Sequence, residues 1–64
     1  MDAKVSIKVI IDKLTLDTAS VFSEKVYNIA AELGLGECIV HDCLNQLMEE
    51  NYICEPMMGV LRKN

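Results

Sequence analysis

The stretch Glu37–Glu50, ECIVHDCLNQLMEE, decides the fold of this chain. Its apolar residues recur at intervals of three and four, the spacing that places side chains on one side of an α-helix. Its polar residues fall on the other side, so we expect an amphipathic helix with one face in the core and one in solvent. The residues expected in the core are Val40, Cys43, Leu44, Leu47 and Met48.

A second helix and a tight turn precede this one. Residues 24–33 carry another apolar stripe, formed by Val26, Ile29, Ala30 and Leu33. We expect Ser23 to cap this helix by accepting a hydrogen bond from a free backbone N–H of the first turn. Gly34 follows the stripe, where a glycine suits the left-handed backbone that ends many helices. The run Gly34–Gly36 permits a sharp reversal with Leu35 at the corner, so the two helices form a helix-turn-helix.

The rest of the chain predicts one more helix and a short β-hairpin. Val5–Leu14 has apolar residues at helical spacing but also alternates; we assign it to a helix because no partner strand lies nearby. Ala19–Phe22 is assigned to a brief strand at the sheet edge. Tyr52–Glu55 and Val60–Lys63 are predicted strands joined by a turn at Pro56–Gly59, where Pro fixes φ and Gly tolerates positive φ. The result is a mainly α domain with a small β-hairpin, the outline of a winged helix.

Length and composition narrow the class of protein. Residues 1–64 are enough for one domain at most, and we expect a single winged-helix domain. A chain this short buries only about 60% of the surface that its unfolded form exposes, so its core must be small. With 52% hydrophobic residues and no Trp, an aliphatic core suits packed helices. We expect neither a signal peptide nor a membrane span, and three Cys do not suggest a disulfide framework. We therefore expect a soluble intracellular protein.

Charge is distributed unevenly along the chain. The formal net charge is -4, and residues 24–55 hold seven carboxylates and one lysine, Lys25. The outward face of the central helix has carboxylates and no Lys or Arg. Because phosphate contacts supply most of the affinity of DNA-binding proteins, such a face would repel DNA. We expect a docking surface for a basic protein partner; the alternative is a charged face that only keeps the domain soluble.

The expected partner contacts lie on the central helix and at the hairpin turn. Met57 and Met58 are apolar residues in that turn, and flexible thioethers adapt to partner surfaces. Alternatively, one of the two folds back on the core. The candidate partner-binding residues are Glu37, His41, Asp42, Asn45, Glu49, Met57 and Met58.

Weak DNA contact is the competing hypothesis for the same elements. Asn45 and Gln46 carry amides that can pair with adenine in the major groove. Basic residues lie near the start of the second helix and on the last strand, although scattered cations needed for solubility would look the same. The candidate DNA-binding residues are Lys25, Asn45, Gln46, Arg62 and Lys63.

Metal binding and catalysis are both disfavoured by the spacing of the reactive residues. Cys38, His41 and Cys43 are ligand types on one helix, but at about 100° per residue they point in different directions, so we expect no zinc site. The single His has no nucleophile or orienting carboxylate in a recognisable pattern, and a domain this small has little room for a pocket. We expect neither an enzyme nor a cofactor.

Two stretches carry a resemblance to a known family: V-x-x-I-A-x-E-L-G-L at Val26–Leu35 and L-x-x-L-M-E-E-N-Y-I-C-E-P-M-M-G-V-L-R at Leu44–Arg62. Together they resemble the C-terminal winged-helix domain of archaeal minichromosome maintenance (MCM) replicative helicases. In that family the last strands read as an Ile-Tyr-Glu-Pro type run, a short turn with Gly, an apolar pair and basic residues. Cys54, where an aromatic residue is commoner, and Met57-Met58, where basic or Pro residues are usual, depart from the pattern. Both departures weaken any phosphate contact by the hairpin.

The resemblance implies a C-terminal fragment of a longer chain, with the ATPase machinery upstream and Met1 as a cloning start. It implies an accessory module on a flexible linker that modulates DNA replication by the helicase and meets loader proteins or neighbouring subunits, with weak or no DNA binding. The expected location is the cytoplasm, at the nucleoid through the parent complex. The alternative function is a small sequence-specific winged-helix transcription regulator that reads DNA with Asn45, Gln46 and the wing.

Overall fold

Three helices and three short strands follow one another along the chain. The computed structural model describes residues 2–64. The elements are α1 (Ala3–Leu14), β1 (Ser20–Phe22), α2 (Ser23–Glu32), α3 (Glu37–Glu49), β2 (Ile53–Met57) and β3 (Val60–Lys63). The prediction of a mainly helical domain with a small β-hairpin is confirmed, and β1 adds a third strand beside the hairpin.

The segment whose apolar pattern fitted both a helix and a strand folds as helix α1. The side chain of Asp2 accepts a hydrogen bond from the Lys4 backbone N–H at 2.9 Å, which satisfies one of the free donors of the first turn. The buried residues follow helical spacing, and they are Ile7, Ile10 and Ile11. Val5 and Val9, which would share one side of a strand with Ile7, are exposed. Helical periodicity therefore outweighs the β-branched composition.

Helix α2 starts directly from β1, and the predicted cap at Ser23 is wrong. Ser23 is the first helical residue, while Phe22 holds the cap position without a side-chain hydrogen bond. The sheet explains this, because the Ser23 backbone N–H donates to the Gly59 carbonyl at 2.9 Å. The strand pairing therefore continues to the first residue of the helix and leaves no room for a separate cap.

The helix end predicted from Gly34 is confirmed, and Asn51 ends α3 in the same conformation. Gly34 has φ +82°, and the Leu35 backbone N–H donates to the Ala30 carbonyl at 2.9 Å, which is the Schellman arrangement. Asn51 has φ +62° after α3. Leu35 packs against the core at the turn between α2 and α3, as its place in the sequence predicts.

The three strands form one antiparallel sheet in the order β1-β3-β2. In β1, Val21 lies opposite Leu61 of β3. In β2 the register shifts between Cys54 and Met57, so that Glu55 and Pro56 together face Leu61. Such a two-against-one arrangement is a β-bulge, which bends the strand and increases its twist.

The hairpin turn is shorter than predicted. Pro56 and Met57 belong to β2, and only Met58 and Gly59 connect the strands. Gly59 has φ +83°, as the turn requires. Pro56 is tolerated in β2 because this strand lies at the sheet edge, where a residue without an N–H at the bulge breaks few ladder hydrogen bonds.

One apolar core lies between the helices and the inner face of the sheet. Its residues are Ile7, Ile10, Ile11, Val21, Val26, Ala30, Val40, Cys43, Leu44, Leu47, Ile53 and Leu61. The predicted core face of α3 is confirmed, with Met48 only partly buried. Leu33, the last residue of the predicted α2 stripe, is instead exposed, because α2 ends at Glu32.

Candidate partner-binding site

The outward side of α3 carries the polar residues that the sequence singles out. All of them are exposed, and they are Glu37, His41, Asp42, Asn45, Gln46 and Glu49; this set is called the acidic face below. Asn45 Nδ2 lies 3.4 Å from His41 Nδ1, one helical turn away. The two side chains therefore sit side by side between the carboxylates.

The carboxylates of the acidic face are not neutralised by cations. Glu50, which follows α3 and lies outside the acidic face, forms an ion pair with Lys4 of α1. Within residues 2–64, Glu37, Asp42 and Glu49 take part in no ion pair. Three uncompensated carboxylates therefore set the charge of this surface.

A shallow groove runs beside the acidic face. One part of the groove has a volume of about 310 Å³ and is lined by Tyr27, Glu37, Cys38, His41 and Asp42. The other part is a crevice of about 120 Å³ that shares Tyr27 and His41 with the first and reaches Asn45 and Glu55. Helix α2, helix α3 and the hairpin thus meet around one half-buried tyrosine.

Tyr27 and Glu55 also line this groove, although the sequence did not predict either of them as a site residue. Burial raises the pKa of the Tyr27 phenol, and the nearby Glu37 and Glu55 carboxylates raise that pKa further. Glu55 Oε2 also accepts a hydrogen bond from the Gly59 backbone N–H at 3.0 Å, which fixes the hairpin turn. The position of Tyr27 directly after the buried Val26 carries no signal for a surface role, since only the packing of α2 beside α3 reveals it.

The Cys and His residues of α3 do not converge. Cys43 is buried, and its burial raises the pKa of the thiol, whereas Cys38 is exposed. In the part of the chain that the structure describes, no group of three His, Cys, Asp or Glu side chains is arranged to hold a metal ion. Cys38 contributes to the wall of the groove instead.

The outer side of the sheet exposes an apolar row that crosses all three strands. Phe22, Val60 and Met57 stand in register, and residues that pair directly across strands share one face of a sheet. Phe22 is 69% exposed and Met57 is 67% exposed. Met58 follows in the turn with 98% of its surface exposed. These four residues, called the apolar row below, include the two predicted methionines and add Phe22 and Val60.

The alternative that one methionine folds back on the core is wrong. Strict alternation from the buried Ile53 would turn Met57 inward, but the bulge at Glu55 and Pro56 reverses its direction. Both Met57 and Met58 therefore lie in solvent.

The structure does not unite the five candidate DNA-binding residues. Lys63 Nζ lies 2.9 Å from Asp12 Oδ1 and stands over the ring of Tyr52, next to α1. Arg62 is on the outer face of the sheet, where it pairs with Ser20 and Cys54 across the strands. Its neighbour Lys63 therefore points to the opposite face.

Lys25 is exposed on α2 beside Phe22, in a hollow that also contains Glu24 and Glu32. Asn45 and Gln46 are exposed on α3, where Asp42 precedes them and Glu49 follows them by about one helical turn. The five candidates therefore form no continuous basic patch, because Lys25 and Arg62 lie on different elements and Lys63 is already paired with Asp12.

Asp12, Tyr52 and Lys63 form a polar cluster that joins α1 to the hairpin. The Tyr52 hydroxyl donates to both Asp12 carboxylate oxygens, at 2.7 and 2.9 Å. The Lys63 ammonium, followed by the Tyr52 hydroxyl, lowers the pKa of the Asp12 carboxyl below 3.8. The same contact with Asp12 raises the pKa of Tyr52 and of Lys63.

This cluster makes the stability of the domain depend on pH in acid. Because the folded state lowers the pKa of Asp12, the ionised carboxylate stabilises the fold above its unfolded pKa of 3.8, and this contribution is lost as pH falls below that value. We expect Asp12→Asn to lower the thermal midpoint at neutral pH and to flatten its decline between about pH 5 and pH 2. Thermal unfolding followed by circular dichroism over that range measures both effects.

Asp17→Asn is the matched control, since Asp17 is exposed and has no ion-pair partner within residues 2–64. It should keep the pH dependence of the wild type. An Asp12→Asn variant that declines in acid as steeply as the wild type would contradict the role given to this carboxylate.

No helix in the described residues is both long and apolar enough to cross a membrane. In comparisons with known proteins, no family model, no curated protein and no solved structure matches this chain.

Proposed function

We propose that this chain is an accessory winged-helix module of a replicative DNA helicase that acts through protein contacts and binds DNA weakly or not at all. The order of elements supports the winged-helix part: α1, β1, α2, α3 and a hairpin, with β3 at the centre of a three-stranded sheet. In such a fold, α3 is the helix offered to a ligand and the β2–β3 hairpin is the wing.

The uncompensated charge of the acidic face is the observation that carries this proposal. Glu37 and Asp42 flank His41 in the groove beside Tyr27, and Glu55 approaches from the hairpin. A DNA strand entering between helix and wing would bring its phosphates toward these carboxylates, and no Lys or Arg lines the groove. A protein segment with Lys or Arg side chains would be attracted there instead.

The end of α3 gives independent support. Its last turn has no basic residue, and Glu49 lies there without an ion pair among the described residues. A carboxylate at this end opposes the helix dipole at a typical cost of about 0.3–1 kcal/mol. Because Glu49 destabilises its own helix, a role in partner binding explains this carboxylate better than a role in stability does.

The apolar row supplies a second contact surface. Phe22, Met57 and Met58 are large side chains left in water on the outer face of the sheet. Aromatic and Met side chains are enriched at protein interfaces, whereas Lys and Glu are depleted there. The proposed partner therefore combines basic residues for α3 with apolar residues for the hairpin.

The resemblance of Val26–Leu35 and Leu44–Arg62 to the MCM C-terminal domain supports the helicase part of the proposal. In that setting the partners are loader proteins or neighbouring helicase subunits. A full reading frame with an ATPase domain upstream of these residues is the expected finding; a frame without one would refute the helicase assignment and leave the partner surfaces to be explained separately.

A salt titration of binding to duplex DNA tests the choice between a protein partner and DNA. We expect no measurable binding of fluorescently labelled duplex at physiological salt, and little at about 50 mM salt. Micromolar binding that weakens steeply between about 50 and 200 mM salt would overturn the proposal. It would favour a winged-helix transcription regulator that reads bases through Asn45 and Gln46, both exposed on α3.

A further inference from the structure

A large hollow lies between α1 and α2, away from the residues assigned to partner binding. Its volume is about 660 Å³, and Lys13 is the only charged residue that lines it. Its aliphatic lining consists of Val9, Ile10, Leu14, Ile29 and Leu33. This hollow is called the α1–α2 groove below.

The aliphatic side chains of the groove are left in water. Leu33 is 61% exposed and Val9 is 40% exposed. Val5, one turn before Val9 on the same side of α1, is 44% exposed and extends the apolar surface along the helix. Exposed apolar area costs about 25 cal/mol per Å², so covering this surface would stabilise the domain.

One charged residue in the groove and one of opposite sign in the adjoining hollow form no ion pair in the described residues. Lys13 stands on α1, and Glu32 stands on α2 beyond Ile29, in the neighbouring hollow that shares Ile29 with the groove. A two-fold axis lying in the interface midway between them places Lys13 of each copy opposite Glu32 of the other, so that both pairs form at once.

We propose that the α1–α2 groove is the interface of a symmetric homodimer, in which the aliphatic side chains of two copies pack together and Lys13 of each copy pairs with Glu32 of the other. A second copy fits because it supplies an apolar surface of the same size and, by symmetry, the complementary charge at each side. This interface leaves the acidic face free, so it does not depend on the function proposed for that face.

The size of the domain predicts a weak dimer. The accessible surface is 4310 Å², and a standard interface takes about 800 Å² from each partner, close to a fifth of that total. One face of a body measuring 26 × 23 × 20 Å provides at most about that area. We therefore expect a dimer with a Kd between about 1 µM and 1 mM.

Sedimentation equilibrium of the whole chain at increasing concentration tests the dimer. The average mass should rise from that of a 7.2 kDa monomer toward twice that value. Because the interface is mainly apolar, association should persist at high salt. A protein that stays monomeric up to about 1 mM, or that grows beyond a dimer, would overturn the proposal.

A charge exchange tests the predicted pairing. Lys13→Glu alone and Glu32→Lys alone each place like charges opposite one another at two symmetric positions, so each should weaken the dimer by about tenfold. The double variant Lys13→Glu/Glu32→Lys should restore the wild-type Kd. Glu49→Lys on α3 and Arg62→Glu on β3, both exposed and outside the two hollows, are the matched controls and should leave the Kd unchanged.

An apolar substitution tests the groove itself. Leu33→Asp should abolish association without unfolding the domain, because Leu33 is exposed. Met58→Asp, at the hairpin turn, is the control and should leave the dimer intact. A double charge variant that stays as weak as the single variants would refute the Lys13–Glu32 pairing, and association that survives Leu33→Asp would refute this groove as the interface.

Discussion

Leu47→Ala is expected to remove a large part of the stability of this domain. Leu47 is fully buried on α3, the helix that packs against α1, α2 and β2. Truncation of a buried Leu to Ala costs about 2–5 kcal/mol, because transfer free energy is lost and a cavity remains. A domain of this length has a total stability of about 3–10 kcal/mol. The thermal midpoint, measured by circular dichroism, should fall by at least about 10 °C.

Ile39→Ala is the matched control on the same helix. Ile39 lies one position before the buried Val40 and is 47% exposed, so its truncation should cost less than about 1 kcal/mol. Two variants with equal losses of stability would contradict the orientation of α3. Because α3 carries the acidic face on its other side, such a result would also remove the basis for the partner surface.

Reversal of two charges in the groove beside the acidic face is expected to turn the domain into a DNA-binding protein. Glu37→Lys/Asp42→Lys places two lysines beside His41 on the helix that a winged helix would present to DNA. Each phosphate contact contributes about 0.9 to the slope of log affinity against log salt, so the slope should steepen by about 2. Fluorescence anisotropy with duplex DNA over a salt series measures the change against the wild type.

Asp17→Lys/Glu24→Lys is the control for net charge. Each replacement of a carboxylate by a lysine adds two charges, so both double variants move from -4 to zero. Glu24 lies in the first turn of α2 as Glu37 lies in the first turn of α3, so the loss of a favourable helix-dipole interaction is also matched. Equal gains in DNA affinity by the two variants would show that overall charge, and not the groove, limits DNA binding.

Local sequence was sufficient to predict the helices and where α2 and α3 end. The spacing of Val40, Leu44 and Leu47 defines a buried helix face without knowledge of its neighbours, and Gly34 and Asn51 adopt positive φ where their residue types allow it. The prediction failed at Ser23, because its N–H is taken by Gly59 from a distant strand. The sequence also predicted Lys63 as a DNA-binding residue, although contacts with Asp12 and Tyr52 hold its side chain beside α1.

The sequence by itself determined a helical domain with one buried and one acidic side of α3, because helical periodicity and side-chain charge are local properties. Only the tertiary structure decided which other residues join that surface. Tyr27 and Glu55 reach the groove because α2 and the hairpin pack beside α3. Met57 reaches the outer face beside Phe22 because pairing with β3 inserts a bulge at Glu55 and Pro56. Side chains alternate along a strand, so one inserted residue reverses the face of those that follow, and only the pairing of two strands shows where that residue is inserted.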